Sequence, residues 1–377
     1  MPLRRICFTL LALALVTSSC VRLSWGRDLD VFTTVPDALD DKLWIDLDVG
    51  ELHGCGIQLD RSLWCWGQDG AGQIGDGDDD VRGLHPATRI GEGSWLDVAV
   101  GVLHTCAVET DGSLWCWGLN DEERGELGIP EFGFHPSPVF VDAGPYDEVT
   151  ANSSYSCAIR SDDDSLWCWG RLRTSFQGGE PVVPEPTRVG TAGWDSLSSG
   201  EFHTCGIQTD RSAWCWGPGQ FGELANGSNT IPLEGFGSAV PSEVGGTWKA
   251  IGLGGFHSCG IKTDGTLWCW GLDADGITDY RGVFWYPDSG ENGVGEVVEP
   301  HPIGTHDDWV RVTGGEGFVC GIRSTSPASL WCWGRNGDGQ LGLGDTLPHT
   351  EPTQVGPERH WMLVAAGGTK VLAVAVN

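Results

Sequence analysis

Short runs of alternating apolar and polar residues recur throughout this chain, and turn-forming glycine, aspartate or proline residues separate them. In Leu63–Gly67, for example, Leu63 and Cys65 share one face of an extended strand, and the two tryptophans share the other. No long stretch has the spacing of an amphipathic helix or a coiled coil. The pattern therefore predicts an all-β chain of short strands joined by tight turns.

A Leu-Trp-Cys-Trp-Gly segment recurs six times, with slight variation, and each copy follows a second cysteine in a short apolar strand. Successive repeats are spaced by 48 to 61 residues, which is room for about four short strands and their turns. This period is typical of a propeller blade. The copies are Leu63–Gly67, Leu114–Gly118, Leu166–Gly170, Ala213–Gly217, Leu267–Gly271 and Leu330–Gly334.

The two cysteines of each repeat flank a predicted hairpin turn, such as Asp111-Gly112. Where their spacing is longer, the extra residues fall in the turn, so the cysteines stay opposite each other as a cross-strand disulfide requires. We predict six disulfides; paired free thiols are the alternative, and zinc is disfavoured because one pair supplies only two ligands. The pairs are Cys55–Cys65, Cys106–Cys116, Cys157–Cys168, Cys205–Cys215, Cys259–Cys269 and Cys320–Cys332.

Most of the conspicuous aromatic and histidine residues belong to the repeat. The residues beside each leading cysteine are small in five of the six repeats, which predicts that the indoles pack over them in a core between blades rather than forming a binding stripe. Four histidines occupy one repeat position, so we predict a structural role for them, because a catalytic histidine is needed only once. They are His53, His104, His203 and His257.

The two ends of the chain supply one further repeat between them. The segment 361–374 aligns with the first two strands of a repeat, and Leu23–Arg27 resembles the third, with Leu372 and Ser24 at the two cysteine positions. We therefore predict a seven-bladed β-propeller over residues 20–377, closed by pairing of the N-terminal and C-terminal strands. Its seventh blade is split between residues 20–30 and 361–377.

Residues 1–19 have the features of a signal peptide: two arginines, an apolar stretch and then small residues. Cys20 follows at the position of the lipidated cysteine in bacterial lipoproteins, and no repeat partner is available for it. We expect an exported chain in the cell envelope, with an outer-membrane lipoprotein favoured over a secreted protein. The lipid would be its only contact with a membrane, and we expect a monomer.

The chain carries a net charge of −30, which disfavours nucleic-acid binding because phosphate backbones are repelled. The acidic segments 76–80 and 162–164 offer oxygen ligands for calcium, but they lack the spacing of an EF-hand loop. We interpret both as solvated turns, and predict neither a metal nor a cofactor. No catalytic motif is present, so we do not expect an enzyme.

The repeat resembles that of the regulator of chromosome condensation family. The likeness rests on Gly101-x-x-His104-Thr105-Cys106, on Asp111-Gly112 and Trp117-Gly118, and on Gly337–Gly342, and it extends over residues 44–377. The resemblance implies a seven-bladed propeller and recognition of proteins by loops on one face. Its founder exchanges nucleotide on a nuclear GTPase, a role that an exported acidic protein does not favour.

Insertions interrupt the period at 120–138, 218–241 and 272–308, and the last of these contains an aromatic cluster of Tyr280, Phe284, Trp285 and Tyr286. Exposed aromatic side chains in a long loop are typical of a protein contact. We therefore predict a protein-protein interaction platform of unknown partner. A glycan or cell-wall ligand bound by the same aromatics is the alternative, followed by a nucleotide-exchange regulator or an enzyme with a site in the central channel.

Overall fold

The computed structural model describes residues 6–10, 17–24, 43–78, 83–171, 182–219, 221–227, 241–273, 295–357 and 359–376. All of its regular elements are strands. They are β1 (Ile6–Leu10), β2 (Thr17–Ser24), β3 (Trp44–Val49), β4 (His53–Gln58), β5 (Leu63–Gln68), β6 (Leu84–Arg89), β7 (Trp95–Val100), β8 (His104–Glu109), β9 (Leu114–Asn120), β10 (Gly133–Asp142), β11 (Tyr146–Ala151), β12 (Tyr155–Arg160), β13 (Ser165–Gly170), β14 (Val183–Ser199), β15 (Thr204–Gln208), β16 (Ala213–Trp216), β17 (Ser242–Val244), β18 (Trp248–Leu253), β19 (His257–Lys262), β20 (Leu267–Asp273), β21 (Gly295–Pro302), β22 (Trp309–Gly314), β23 (Phe318–Arg323), β24 (Ser329–Gly334), β25 (His349–Val355), β26 (His360–Gly367) and β27 (Lys370–Val376).

These strands form antiparallel sheets in chain order, as expected for a propeller. Four sheets are simple four-stranded meanders, β3–β6, β7–β10, β18–β21 and β22–β25. A seven-stranded sheet runs from β11 to β17, because the 17-residue β14 pairs with β13 through its first half and with β15 through its second. The last sheet has the order β1-β2-β27-β26.

The sheets are arranged around a ring. The innermost strands contact one another in chain order, through β3, β7, β11, β14, β18, β22 and β26. Strand β26 in turn contacts β3, which closes the ring. The all-β propeller predicted from the sequence is therefore confirmed. Closure leaves each sheet covered on both faces by its neighbours.

The predicted cysteine pairs lie opposite each other in the strand registers, for example Cys55 with Cys65 and Cys106 with Cys116. All six form disulfides, with Cα atoms 4.0–4.1 Å apart, and all twelve cysteines are almost fully buried. The glycine after each Trp-Cys-Trp has a positive φ, between 96° and 118°. A Cβ atom at Gly118 would lie 2.5 Å from the carbonyl oxygen of Leu103, so only glycine fits there.

The hydrophobic core is divided among the interfaces between neighbouring sheets. The face that carries the disulfide of one sheet packs on the tryptophan face of the next, as Cys55 and Cys65 pack with Trp95 and Trp117. The same arrangement recurs between the later sheets. The predicted core between blades is thereby confirmed for the second tryptophan of each segment. The first tryptophan is only half-buried, as at Trp115, whose indole N–H donates to the Ser113 hydroxyl.

The terminal sheet joins the two ends of the chain, as predicted, but in a different register. We expected Ser24 opposite Leu372; in the structure Leu372 pairs with Leu23, and Ser24 pairs with Val371. The five successive side chains Val371–Ala375 of β27 are all buried, so its hydrophobic pattern does not distinguish two registers that differ by one residue. The outermost strand of this sheet is β1, which lies within the predicted signal peptide.

The four repeat histidines are buried, in agreement with a structural role. The Nε2 atoms of His53, His104 and His203 lie 2.7–2.8 Å from a Thr or Ser hydroxyl in the following sheet. Where the repeat has Tyr155 instead, its hydroxyl lies 2.7 Å from Thr204 Oγ1 in the equivalent position. Burial lowers the pKa of His104 to about 3, so the imidazole is neutral at pH 7.

We predict that His104→Ala lowers the free energy of unfolding by about 2–3 kcal/mol, because it leaves a cavity and removes the partner of Ser156. His104→Tyr should lower it clearly less, because the chain already uses Tyr155 for the same contact one sheet later. Urea unfolding at pH 7 of the two variants and the wild type measures the difference. Equal losses in both variants would contradict this bridging role.

Candidate functional site

A cavity of about 620 Å³ lies within the ring and is lined by the innermost strands and the turns that follow them. Its most prominent side chains are carboxylates, whereas no lysine, arginine or histidine of the described residues lines it. Such a concentration of one charge gives a strongly negative potential, because the surrounding protein screens it poorly. This cavity is the candidate functional site.

Part of this charge holds the ring together. Asp48 accepts a hydrogen bond from the backbone N–H of Val100, at 2.6 Å, in the next sheet. Asp97 likewise accepts from the Val149 N–H of the next sheet at 2.7 Å, and Glu148 on β11 accepts from the Leu197 N–H on β14 at 2.6 Å. These carboxylates tie adjacent innermost strands to each other. Their presence is therefore explained by structure before any ligand is considered.

The same acids are brought close enough to oppose each other's ionisation. Burial raises the pKa of Asp46 above its ordinary value. Burial and the charges of Asp46 and Glu148 raise the pKa of Asp97 well above its ordinary value. Burial also raises the pKa of Asp48 to about 7 and that of Glu148 to about 8. This part of the channel is consequently less negative at neutral pH than its composition suggests.

Three further glutamates surround one mouth of the cavity. Glu51, Glu201 and Glu316 each lie in the turn after an innermost strand. Burial, together with the charges of Glu51 and Glu316, raises the pKa of Glu201 to about 7. The residues at this mouth are placed by backbone bonds between neighbouring turns, such as Ser153 N–H to the carbonyl of Glu201 at 3.1 Å. We call these three residues the acidic mouth.

The long connections of the repeat begin and end on the same face of the ring as the acidic mouth. Because the strands of a sheet are antiparallel, the turn after its first strand and the connection after its third lie at one edge. The connections after the third strands include the longest in the chain, at 217–241 and 274–294. We call this side the long-loop face.

The site residues predicted from the sequence have different outcomes. The cysteines form the six disulfides described above. The aromatic cluster Tyr280, Phe284, Trp285 and Tyr286 lies outside the described residues, and its flanking strands β20 and β21 end on the long-loop face. Cys20 lies on β2, where the backbone register sets it opposite Cys7. Among the described residues no helix is long and apolar enough to cross a membrane.

The acidic cavity was missed by the sequence analysis, although a signal was present. Asp46, Asp97 and Glu148 each lie two residues after the aromatic that begins the first strand of their repeat. A bulge at this point in each strand pairs Trp44 with Gln58 and Asp46 with Ile57, which turns the aromatic and the acid to opposite faces. An acid at one repeat position in three successive units therefore indicates a cluster near the ring axis.

The structure is a closed ring of antiparallel sheets, and six of its repeats contain an internal disulfide. This is the architecture of a β-propeller. Three segments, 95–124, 248–277 and 328–374, match the family models described as the regulator of chromosome condensation (RCC1) repeat. These three segments are therefore repeats of this family. Proteins of the family are generally regulators or interaction proteins rather than enzymes.

Individual relatives are similar over most of the chain. The mitochondrial RCC1 domain-containing protein RUG3 of Arabidopsis thaliana is 27% identical over 336 residues, which covers 85% of this chain and 71% of the relative. The ultraviolet-B receptor UVR8 of the same plant is 25% identical and covers 87% and 76%. Among solved structures, Prp20p of Saccharomyces cerevisiae has a TM-score of 0.75 at 17% identity, covering 94% and 90%. Human WBSCR16 has a TM-score of 0.75 at 15% identity, covering 96% and 92%.

The raised pKa values predict that the channel makes folding sensitive to pH. Because the folded-state pKa of Glu148 lies near 8, above its ordinary value of 4.5, its contribution to stability is complete below pH 4.5 and is lost as the pH rises through 8. Glu148→Gln keeps an oxygen for the Leu197 N–H but cannot ionise. We expect Glu148→Gln to raise the free energy of unfolding relative to wild type more at pH 9 than at pH 5. The difference between the two pH values should be on the order of 1–2 kcal/mol.

Thermal melting across this pH range measures the effect. Glu92→Gln, which changes an exposed carboxylate away from the channel, is the matched control and should follow the wild-type curve. A Glu148→Gln curve parallel to wild type would show that Glu148 ionises freely in the folded protein.

Proposed function

We propose that this protein is an exported propeller that binds another protein through its long-loop face, and that the partner presents a basic segment to the acidic mouth. The observation that carries this proposal is the excess of carboxylates that line the channel and its mouth. They outnumber the cations beside them, which are Arg311 near Asp46, Arg335 at 3.5 Å from Glu316, and Lys370 against the Glu51 carbonyl. A basic segment is attracted to such a surface and gains contacts that an acidic or neutral one does not.

The comparisons support a protein partner rather than a small substrate. The yeast relative Prp20p binds Gsp1p and histones, and yeast RCC1 has also been observed in complex with Kap60. In this chain the aromatic cluster at 280–286 would supply the apolar part of the contact, and the acidic mouth would supply charge complementarity. We propose no catalytic role and no cofactor.

We also propose that the ring has seven blades. This count is supported by the seven innermost strands, if the long β14 is divided between two blades and the terminal sheet forms the last one. In a chain processed at Cys20, β1 is removed and the terminal blade keeps β26, β27 and the remainder of β2. Lipidation at Cys20 would then place the propeller directly against an outer membrane.

Binding is tested by cross-linking and pull-down from a cell-envelope extract with residues 21–377 as bait. We expect the wild type to retain a protein that is lost from Trp285→Ala/Tyr286→Ala and from Glu51→Gln/Glu201→Gln. Glu92→Gln/Asp307→Asn removes the same charge from exposed sites on the opposite face and should bind as wild type. Retention should weaken as salt is raised, because the attraction is screened.

Other outcomes are equally informative. Loss from the aromatic variant alone, with no salt dependence, would contradict a role for the acidic mouth. Retention of cell-wall fragments instead of a protein would favour the glycan alternative. Binding that survives both long-loop-face variants would place the contact elsewhere and contradict the proposal.

Export and anchoring are tested separately by expression of the complete chain in a bacterial host. We expect the wild type in the membrane fraction, with residues 1–19 removed and a lipid on Cys20 detected by mass spectrometry. Cys20→Ser should remain unprocessed or become soluble, since the modified atom is absent. A wild-type protein that keeps residues 1–19 and stays in the cytoplasm would overturn export, and a processed protein without lipid would favour secretion.

A further inference from the structure

A cluster of three ligating side chains lies on the long-loop face, away from the channel. Asp69 follows β5, Asp76 lies in the connection to β6, and His85 lies on β6. One ligand atom from each lies within 4.8 Å of the others, and the described residues contain no other group of three that is as close. The Nδ1 atom of His85 is 2.9 Å from Asp76 Oδ2, and its Nε2 atom is 3.8 Å from Asp69 Oδ2.

Asp69 has an unused oxygen in a buried position. The side chain is 0% exposed, and its Oδ1 atom accepts a hydrogen bond from the backbone N–H of Ile74 at 2.8 Å. Its Oδ2 atom accepts no hydrogen bond and faces His85 at a distance beyond hydrogen-bond length. A buried carboxylate oxygen with no donor is unfavourable unless a cation satisfies it.

Other repeats show how this position is satisfied without a cation. Asn336 stands at the equivalent place: its Oδ1 accepts from the Leu341 N–H at 3.0 Å, and its Nδ2 donates to Asp345. Asn120 likewise accepts from a backbone N–H and donates to the carbonyls of Ile129 and Glu131. At Asp69 a carboxylate oxygen, which only accepts hydrogen bonds, replaces the amide NH2 group of asparagine. The loop itself needs only the Oδ1 atom, which in Asp69 and in the two asparagines accepts a backbone N–H.

The pairing of His85 with Asp76 does not by itself require a carboxylate at position 69. His349 lies 3.3 Å from Asp345 in the repeat that has Asn336, so the pairing of a histidine with an acid occurs there without a second carboxylate. Among the residues that the structure describes, only the first repeat combines the histidine, its paired acid and a buried aspartate. The additional negative charge is therefore specific to this connection.

We propose that Asp69, Asp76 and His85 form a binding site for one divalent transition-metal ion, with zinc as the best fit. An imidazole nitrogen and carboxylate oxygens are ligands that zinc accepts, whereas calcium and magnesium prefer oxygen alone. Two ligands of tetrahedral zinc stand about 3.4 Å apart, given bonds of about 2.0–2.1 Å. The 3.8 Å between His85 Nε2 and Asp69 Oδ2 is close to this separation, so these two atoms ligate the ion. Asp76 Oδ2 accepts a hydrogen bond from Nδ1–H on the other side of the ring and orients it. Water completes the coordination.

The site is tested on the complete, untagged chain after removal of metal with a chelator. Isothermal titration with zinc chloride at pH 7.5 should give one tight site per chain, and the melting temperature should rise by several degrees. Cobalt(II) should give the visible absorption of a tetrahedral site. Calcium at the same concentration should leave the melting temperature unchanged.

Asp69→Asn is the decisive variant, because Asn120 and Asn336 show that an amide suits this position. We expect its metal-free melting temperature to equal or exceed that of wild type, while zinc raises it no further and the cobalt absorption is lost. His85→Ala should also lose both signals. Asn336→Ala, which alters the equivalent connection without touching the site, should keep them.

Two results would overturn the proposal. One is the absence of a zinc-dependent heat and melting shift in the wild type, which would leave the three side chains as an ion triad. The other is equal zinc binding by wild type and Asp69→Asn, which would place the metal at other surface groups. Neither result bears on partner binding, because the site lies outside the acidic mouth.

Discussion

The contact between the disulfide face of one sheet and the tryptophan face of the next underlies the rest of this structure. At each such interface a buried indole packs against a disulfide, and at three of them the indole N–H donates to a backbone carbonyl in the preceding connection. Trp117 donates to Gln73, Trp169 to Glu126 and Trp270 to Glu223, at 2.7–2.9 Å. The same contact thus fixes the angle between neighbouring sheets and the path of the connection above it. Each disulfide contributes about 2–3 kcal/mol by the loop-entropy argument.

This arrangement separates the structural residues from those available for function. The second tryptophan of each Trp-Cys-Trp segment, the disulfide cysteines and the repeat histidines lie in the interfaces, and the histidines are uncharged at neutral pH. The connections after the third strands vary in length because only a few of their backbone groups are held by the indoles. Many of the acidic residues lie near the ring axis. Some accept hydrogen bonds from neighbouring innermost strands, and others form the acidic mouth. Function is therefore expected where the repeat is least regular.

The two acidic features of the molecule have different physical consequences. In the channel, carboxylates compete for protons and accept backbone hydrogen bonds, so their charge is partly neutralised. Around Asp69 one carboxylate oxygen faces an imidazole and a second acid, with no donor within reach. The first arrangement suits a large basic partner, because the charge is spread over a wide mouth. The second suits a small cation, because a buried carboxylate oxygen and an imidazole nitrogen lie 3.8 Å apart.

The sequence by itself determined the strand pattern, the disulfide pairs and the propeller, because each is encoded by local alternation or by a spacing that recurs six times. Ring closure through the two ends was also predictable, but its register was not, since β27 is buried on both faces. Only the tertiary structure brought Asp46 beside Asp97, and Asp69 and Asp76 beside His85. These groups are far apart in the sequence or separated by a turn of irregular length, and nothing local specifies their distance. The closure of the ring and the path of each connection determine which acidic side chains lie close together.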